Sequence, residues 1–306
     1  MGVQARLVVY APDEPAATEA MSAAHSELAR LDSILSDYRP LSDVSRLGRE
    51  APHWVEIDAA LAAVLSEAAR VRGWVGARFD VTVGPATRLW REARRTGSPP
   101  SEAAVAEARA LIGADRLELD GAGRARLRDR GMLVDLGGIA KGFGAQRAVS
   151  VLRQRGLPIC LVALAGDIAA GDPPPGETGW RVEIAPWRDV PGRLLLLSNA
   201  CVSTSGDEEQ FTTADGVRRS HIIDPRTALG VPGRSAATAL STNGAIADAV
   251  ATALCVDGTE VHRLLEAAQA GEPALAWIVF GPGGDMRITD PSGLIRWAPA
   301  KNGDHR

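Results

Sequence analysis

Three stretches of the chain combine residue types that could do chemistry. In VDLGGIAKGFGAQ, from Val134 to Gln146, the carboxylate of Asp135 is followed by two adjacent glycines, Gly137 and Gly138, and then by Lys141 next to further glycine. Glycine lets a ligand come up against bare backbone, and a helix starting there offers unpaired N–H groups with partial positive charge, to which a lysine adds a full charge. This combination suits an anionic group such as a diphosphate. The stretch carries neither GxxxxGK[ST] nor GxGxxG, and a strand-to-helix corner also uses glycine for packing alone. In NGAIADAVATALCVDG the polar residues between Ile246 and Val256 are Asp248 and Thr252, one helical step apart and so on one face. A carboxylate and a hydroxyl are hard oxygen donors that match Mg²⁺ better than zinc. The bland alternative is a face that meets water, although such a face usually carries Lys, Glu or Gln, whereas Ala247, Ala251 and Cys255 surround this pair. In STSGDEEQ and RRSHIIDPRT, His221, Asp224 and Arg226 gather around one strand end. A lone histidine is often a structural hydrogen-bonder, and DPR is also ordinary turn chemistry.

Periodicity indicates the elements that must position these groups. ARLVVYA reads as a strand and EPAATEAMSAAHSELARLDSILS as a helix ending near SDYRPLSD. Ala59 to Val75 is a second helix, and RFDVTVGPATRLW reads as a strand entering a Gly-Pro turn, with Trp90 beyond it. Ser98 to Ser101 form a linker before the helix EAAVAEARALIG. RGMLVDLGG reads as a buried strand, IAKGFGAQRAVSVLRQRG as a helix closed by Gly156, and ICLVALAG as the next strand, together a βαβ-like unit. GDPPPGETG is a loop, and WRVEIAP and RLLLLSNACVSTS are strands. FTT to SHIID suggests a hairpin around Asp215-Gly216. NGAIADAVATALCVDG and VHRLLEAAQAG are helices, and LAWIVFG and MRITD are closing strands.

Composition restricts the protein class. At 306 residues, 45% hydrophobic and 24% charged, the chain is an ordinary globular protein with a substantial core, read as a single body of two lobes with a linker near 96–101. A net charge of -4 with no dense basic run argues against nucleic acid as a partner. Cys160, Cys201 and Cys255 sit in apolar surroundings without CxxC spacing, as buried thiols would. No window reaches the roughly 18 apolar residues of a membrane span, and MGVQARLVVYAPDEP has no export-signal pattern.

Taken in order, LDSILSDYRPLSDVSRL, FDVTVGPATRLW, VDLGGIAKGFGAQRAV, ALAGDI, VSTSGDEEQF, HIIDPRT and ADAVATAL resemble the FAD:protein FMN transferase family, the ApbE-type flavin transferases, over most of the chain. The resemblance implies an enzyme that cleaves the pyrophosphate of FAD with the help of Mg²⁺. It would attach FMN through a phosphoester to a threonine of an acceptor protein and release AMP. The implied fold is an α+β, T-fold-like body with mixed sheets and flanking helices, holding FAD in a cleft between two lobes. Carried over by position, Asp248 and Thr252 hold the metal with a main-chain carbonyl of the Gly137-Gly138 corner, Gly138 being the expected donor. Asp135 and Lys141 contact FAD at that corner, Tyr38 lies near the flavin, and Phe79, Asp80, Val81 and Thr82 line the pocket. His221 and Ile222 lie beside the cofactor. The expected catalytic set is His221, Asp248 and Lys141, with His221 as the base for the incoming hydroxyl.

The chain departs from the family pattern in three places. Ala165-Gly166 stands where paired glycines are common, Ser220-His221 where paired histidines are, and Ala228 and Leu229 intervene before Gly230 after the DPRT threonine. Two other readings share these residues: an FAD pyrophosphatase, with water replacing the threonine hydroxyl, and a flavin-binding module without turnover. Many relatives are exported lipoproteins, whereas this N-terminus reads as that of a cytoplasmic or truncated chain.

Overall fold

In the computed structural model, which describes residues 3–299 apart from 209–210, 215 and 269–273, sequence-local caps start most of the helices. Asp13 accepts the Ala16 N–H at 2.8 Å to open α1 (Glu14–Leu35), which buries Ala20, Ala24, Leu28, Leu31 and Leu35 along one stripe. Ser42, Asp58 and Ser101 likewise cap α2 (Asp43–Arg49), α3 (Ala59–Val75) and α5 (Glu102–Ala110), while α4 (Gly84–Thr96) carries proline in its first turn. Helix α6 spans Ala140–Gln154, Asn243 caps α7 (Gly244–Val256), and α8 spans Gly258–Ala268.

The described strands are β1 (Ala5–Val9), β2 (Val55–Glu56), β3 (Leu117–Leu119), β4 (Arg124–Leu127), β5 (Cys160–Leu164), β6 (Asp167–Ala170), β7 (Trp180–Ile184) and β8 (Arg193–Leu197). They continue with β9 (Cys201–Gly206), β10 (Phe211–Ala214), β11 (Val217–Asp224), β12 (Leu229–Pro232), β13 (Ala236–Ser241), β14 (Leu275–Phe280) and β15 (Met286–Thr289). Seven of them form one sheet in the order β1-β5-β6-β9-β13-β14-β15, with every neighbouring pair antiparallel. Alternation sends residues to opposite faces. Val162, Leu164, Ala169 and Cys201 join the core under α1 and α6, whereas Val202, Leu240, Ile278 and Phe280 pack with Trp180, Val182 and Trp187 under the β7–β8 ribbon. The sequence expectation of an α+β body with several sheets and flanking helices therefore holds, but the sheets are not mixed: every ladder among the described strands is antiparallel.

Three local expectations do not hold. RFDVTVGPATRLW contains no strand beyond an isolated bridge from Val83 to Leu133, and Gly84-Pro85 opens α4 instead of a turn. Proline has no N–H to lose in a first helical turn, and Ala86, Trp90 and Ala93 recur at helical spacing on the buried face. RGMLVDLGG is buried without being a ladder strand: Met132, Val134 and Leu136 fill the core, while the Asp135 N–H donates to the Val81 carbonyl at 2.8 Å. With no strand between β4 and α6, and with β5 antiparallel to both β1 and β6, the expected βαβ unit is not formed. Buried apolar runs alone do not separate strands from packed coil.

The hairpin of β10 and β11 is present, pairing Phe211 with Ser220 and Ala214 with Val217. Asp215 at its tip lies outside the described residues, as do Glu209 and Gln210 of STSGDEEQ and residues 269–271 at the end of VHRLLEAAQAG.

Candidate active site

The site begins where α6 and α7 cross. A Cβ on Gly142 would lie 2.0 Å from the Gly244 carbonyl oxygen, and one on Gly244 would lie 2.2 Å from that of Gly142, so only glycine permits this approach. The crossing brings Asp248, in the second turn of α7, onto the first turn of α6, where the Gly142 N–H donates to Asp248 Oδ2 at 3.1 Å. Lys141 Nζ lies 3.3 Å from the same oxygen, donates to the Gly137 carbonyl at 3.1 Å, and sits 2.9 Å from Asp167 Oδ2 at the start of β6. Thr252, one turn beyond Asp248, faces the Gly138 backbone so closely that a Cβ there would be 2.7 Å from its Oγ1, and Ser205 Oγ on β9 lies 3.2 Å from that hydroxyl.

Burial sets the electrostatics. Asp248 is fully buried, and burial, reinforced by the neighbouring Asp167 charge, pushes its carboxyl up to about 7 against the pull of Lys141 and the Gly142 N–H. For Lys141 burial works against the ammonium, but Asp167 and Asp248 outweigh it and hold the pKa above the ordinary lysine value.

This corner opens into a cleft of about 700 Å³. Gly137, Gly138, Lys141 and Thr252 line it, as do Asp135, His221, Ile222, Tyr38, Phe79, Asp80 and Val81. Asp248 stands behind Lys141 without surface of its own. Thr82 does not reach the cleft. It is fully buried and accepts the Gly113 N–H at 2.8 Å, while Asp80 binds the Thr82 hydroxyl at 2.6 Å, the Ala114 N–H at 3.1 Å and Arg72 at 3.0 Å. The polar side chains of FDVT thus fasten the 113–114 turn, leaving Phe79 and Val81 as the apolar wall. Asp135 divides its carboxylate between the Gly137 N–H at 2.6 Å and Arg91 at 3.1 Å. Arg91 also pairs with Asp37 and lies 4.3 Å from the ring centre of Tyr38, an exposed residue at the cleft mouth. In DPRT, Asp224 accepts from Arg226, whose second contact is Asp257 at 3.0 Å beyond α7, so these two charges staple a turn.

Asp167, Arg91 and Ser205 were not singled out from the sequence. Asp167 lies within ALAGDI and Ser205 within VSTSGDEEQF, but nothing local names a partner for either. Among the described residues no group of three or more His, Cys, Asp and Glu side chains converges as a metal cluster, and no described helix is long and apolar enough to cross a membrane.

An α+β body in which a lysine, two buried carboxylates, a hydroxyl and glycine backbone meet at a cleft corner offers oxygen donors to a cation and bare backbone to an anionic ligand that the cation would neutralise. The chain belongs to the ApbE family, whose sequence model matches residues 1–276. It is 31% identical over 261 residues to a FAD:protein FMN transferase of Vibrio cholerae, covering 82% of this chain and 77% of that one. It is 28% identical over 283 residues to a FAD:protein FMN transferase of Haemophilus influenzae, covering 87% of this chain and 81% of that one. The solved structure of the flavin transferase ApbE from Vibrio cholerae matches with a TM-score of 0.80 at 25% identity, over 96% of this chain and 95% of that chain. The ApbE protein of Thermotoga maritima matches with a TM-score of 0.82 at 25% identity, over 94% of each chain.

Proposed function

We propose that this chain transfers FMN from FAD to a threonine hydroxyl of an acceptor protein. The acceptor oxygen forms a bond to the phosphorus on the flavin side, the phosphoanhydride breaks, and AMP leaves with the bridging oxygen. The observation that carries this reading is the convergence of Lys141, Asp248, Thr252 and the Gly137-Gly138 backbone at one corner of a cleft, in a chain of this family.

The residues fit Mg²⁺. The available donors are hard oxygens: the carboxylate of Asp248, the hydroxyl of Thr252 and the main-chain carbonyl at Gly138. Mg²⁺ is commonly held by few protein ligands, with phosphates and water completing its shell. When bound, it supplies charge neutralisation for the diphosphate and alignment of its oxygens. Lys141 and the first N–H groups of α6 add positive potential at the same place. Phe79, Val81 and Ile222 form an apolar wall that can exclude water from the flavin, and Asp135 and Tyr38, tied together through Arg91, shape its mouth. His221, on the lining of the cleft, takes the proton of the incoming hydroxyl.

The test is to incubate the protein with FAD, Mg²⁺ and a candidate acceptor, then quantify AMP and the acceptor mass. AMP with a mass gain equal to FMN supports transfer. AMP with free FMN and an unmodified acceptor would assign hydrolysis instead, and intact FAD would leave a binding module.

A further inference from the structure

Asp167 belongs neither to the metal donors nor to the FAD contacts assigned above, yet it makes the shortest ion pair to Lys141, 2.9 Å against 3.3 Å for Asp248. An ammonium has three N–H donors. Three acceptors surround this one: the Gly137 carbonyl at 3.1 Å, Asp167 and Asp248. Asp167 is immobilised, because it opens β6 and pairs in register with Leu164 on β5 and Ser203 on β9, with 3% of its surface exposed. Asp248 is held through Oδ2 by the Gly142 N–H, and its Oδ1 meets Lys141 at 3.4 Å. With both carboxylates ionised, two negative groups against one ammonium leave a surplus negative charge beside the cleft, and burial makes it attractive to a second cation. A cation arriving at Asp248 must take one of the three acceptors away from Lys141, and the ammonium keeps the other two.

We propose that Lys141 is a tethered cation that competes with a divalent cation for Asp248, and that Asp167 is the positioning residue that retains the ammonium when a divalent cation takes Asp248. The inference rests on the reading of Asp248 as a metal ligand. Without Asp167, Lys141 has Asp248 as its one carboxylate partner in the corner and competes harder for it. Without Lys141 the competitor is gone, and Asp167 has nothing to hold.

The experiment is a titration of the full chain with Mn²⁺ alone, without FAD, followed by electron paramagnetic resonance, with circular dichroism to confirm folding. Lys141→Met is expected to bind Mn²⁺ about tenfold more tightly than the unsubstituted chain, because a charged competitor at close range is removed. Asp167→Asn is expected to weaken binding about tenfold on its own, and by less than about twofold when Lys141→Met is already present, since its effect acts through that residue. Equal weakening in both backgrounds would mean that Asp167 acts on the metal directly and overturns the proposal. So does unchanged or weaker binding by Lys141→Met alone, a result readable even if Asp167→Asn fails to fold. Asp248→Ala separates the underlying reading. If that variant binds Mn²⁺ like the unsubstituted chain, the metal assignment is wrong and this inference falls with it. If it loses Mn²⁺ while the other two substitutions prove additive, only the tethered-cation inference fails.

Discussion

Thr252 Oγ1 on α7 lies 3.2 Å from Ser205 Oγ on β9, a contact that holds the threonine hydroxyl against the backbone of Gly138. Helix, sheet and the glycine corner are thereby locked together at a place where the cleft offers both a hydroxyl and bare peptide. The Oγ1, Cγ2 and Cβ atoms of Thr252 would lie 2.7, 2.9 and 3.1 Å from a Cβ at position 138, and a β-branched side chain in a helix has little rotamer freedom with which to retreat.

Gly138→Ala should therefore displace the corner. The expected cost is about 1–3 kcal/mol of stability from overpacking, together with a loss of FMN transfer of about a hundredfold from misplacement of the reacting groups. Urea unfolding and transfer kinetics check this, and a variant with unaltered rate would show that the backbone at this corner need not approach Thr252 so closely.

Asp248→Ala should abolish Mg²⁺-dependent turnover, by about a thousandfold or more, and leave the metal-free fold intact. The carboxyl is fully buried with its pKa pushed up to about 7, so removing it relieves an unfavourable burial, and Lys141 keeps Asp167 at 2.9 Å as its partner. Thermal melts without metal should show an unchanged or raised midpoint. A large drop would mean that the residue is chiefly structural.

Ala165→Gly should stabilise the protein slightly. Ala165 is exposed at a φ of 55°, in the left-handed region, which costs a non-glycine residue about 1–2 kcal/mol. The extra freedom of glycine in the unfolded chain returns about 0.4–1 kcal/mol of that gain. A net increase of roughly 0.5 kcal/mol in denaturant unfolding is expected, and a loss would point to a role for the methyl group at the cleft, which it lines.

The three cysteines should resist thiol reagents until the chain unfolds, and all three should then react. Burial pushes the thiol of Cys160 up to about 11 and those of Cys201 and Cys255 up to about 12. Because the folded values lie above the ordinary 9.0, the folded state keeps protons that the unfolded chain releases, and stability falls as pH rises from about 9 towards 12. Disulfide-exchange labelling at mildly alkaline pH with and without denaturant measures the first effect, and unfolding midpoints across that alkaline range measure the second. Rapid labelling of the native chain would contradict both.

By itself the sequence determined the local parts of this protein. Asp248 and Thr252 share a helix face because four residues span about one turn. The backbone at Gly137-Gly138 is bare because glycine has no side chain, and Lys141 follows at a helix start because the apolar repeat begins there. These are properties of a few consecutive residues, and they were legible.

What lies opposite each part was decided only by the tertiary structure. Asp167 becomes the nearest partner of Lys141 because β6 runs beside β9 under α6, a register no local pattern encodes. Thr82 turns from the cleft, and Asp80 on its lining is drawn, towards residues 113–114 because buried polar side chains go where unpaired N–H groups are. VDLGG, apolar enough for a strand, stays coil because α4 begins against it: a Cβ on Gly84 would lie 2.6 Å from the Leu133 carbonyl oxygen, so the two backbones touch where a ladder would need a paired edge. Side-chain type and spacing are written in the chain, but a contact between residues far apart in it depends on which surfaces burial forces together.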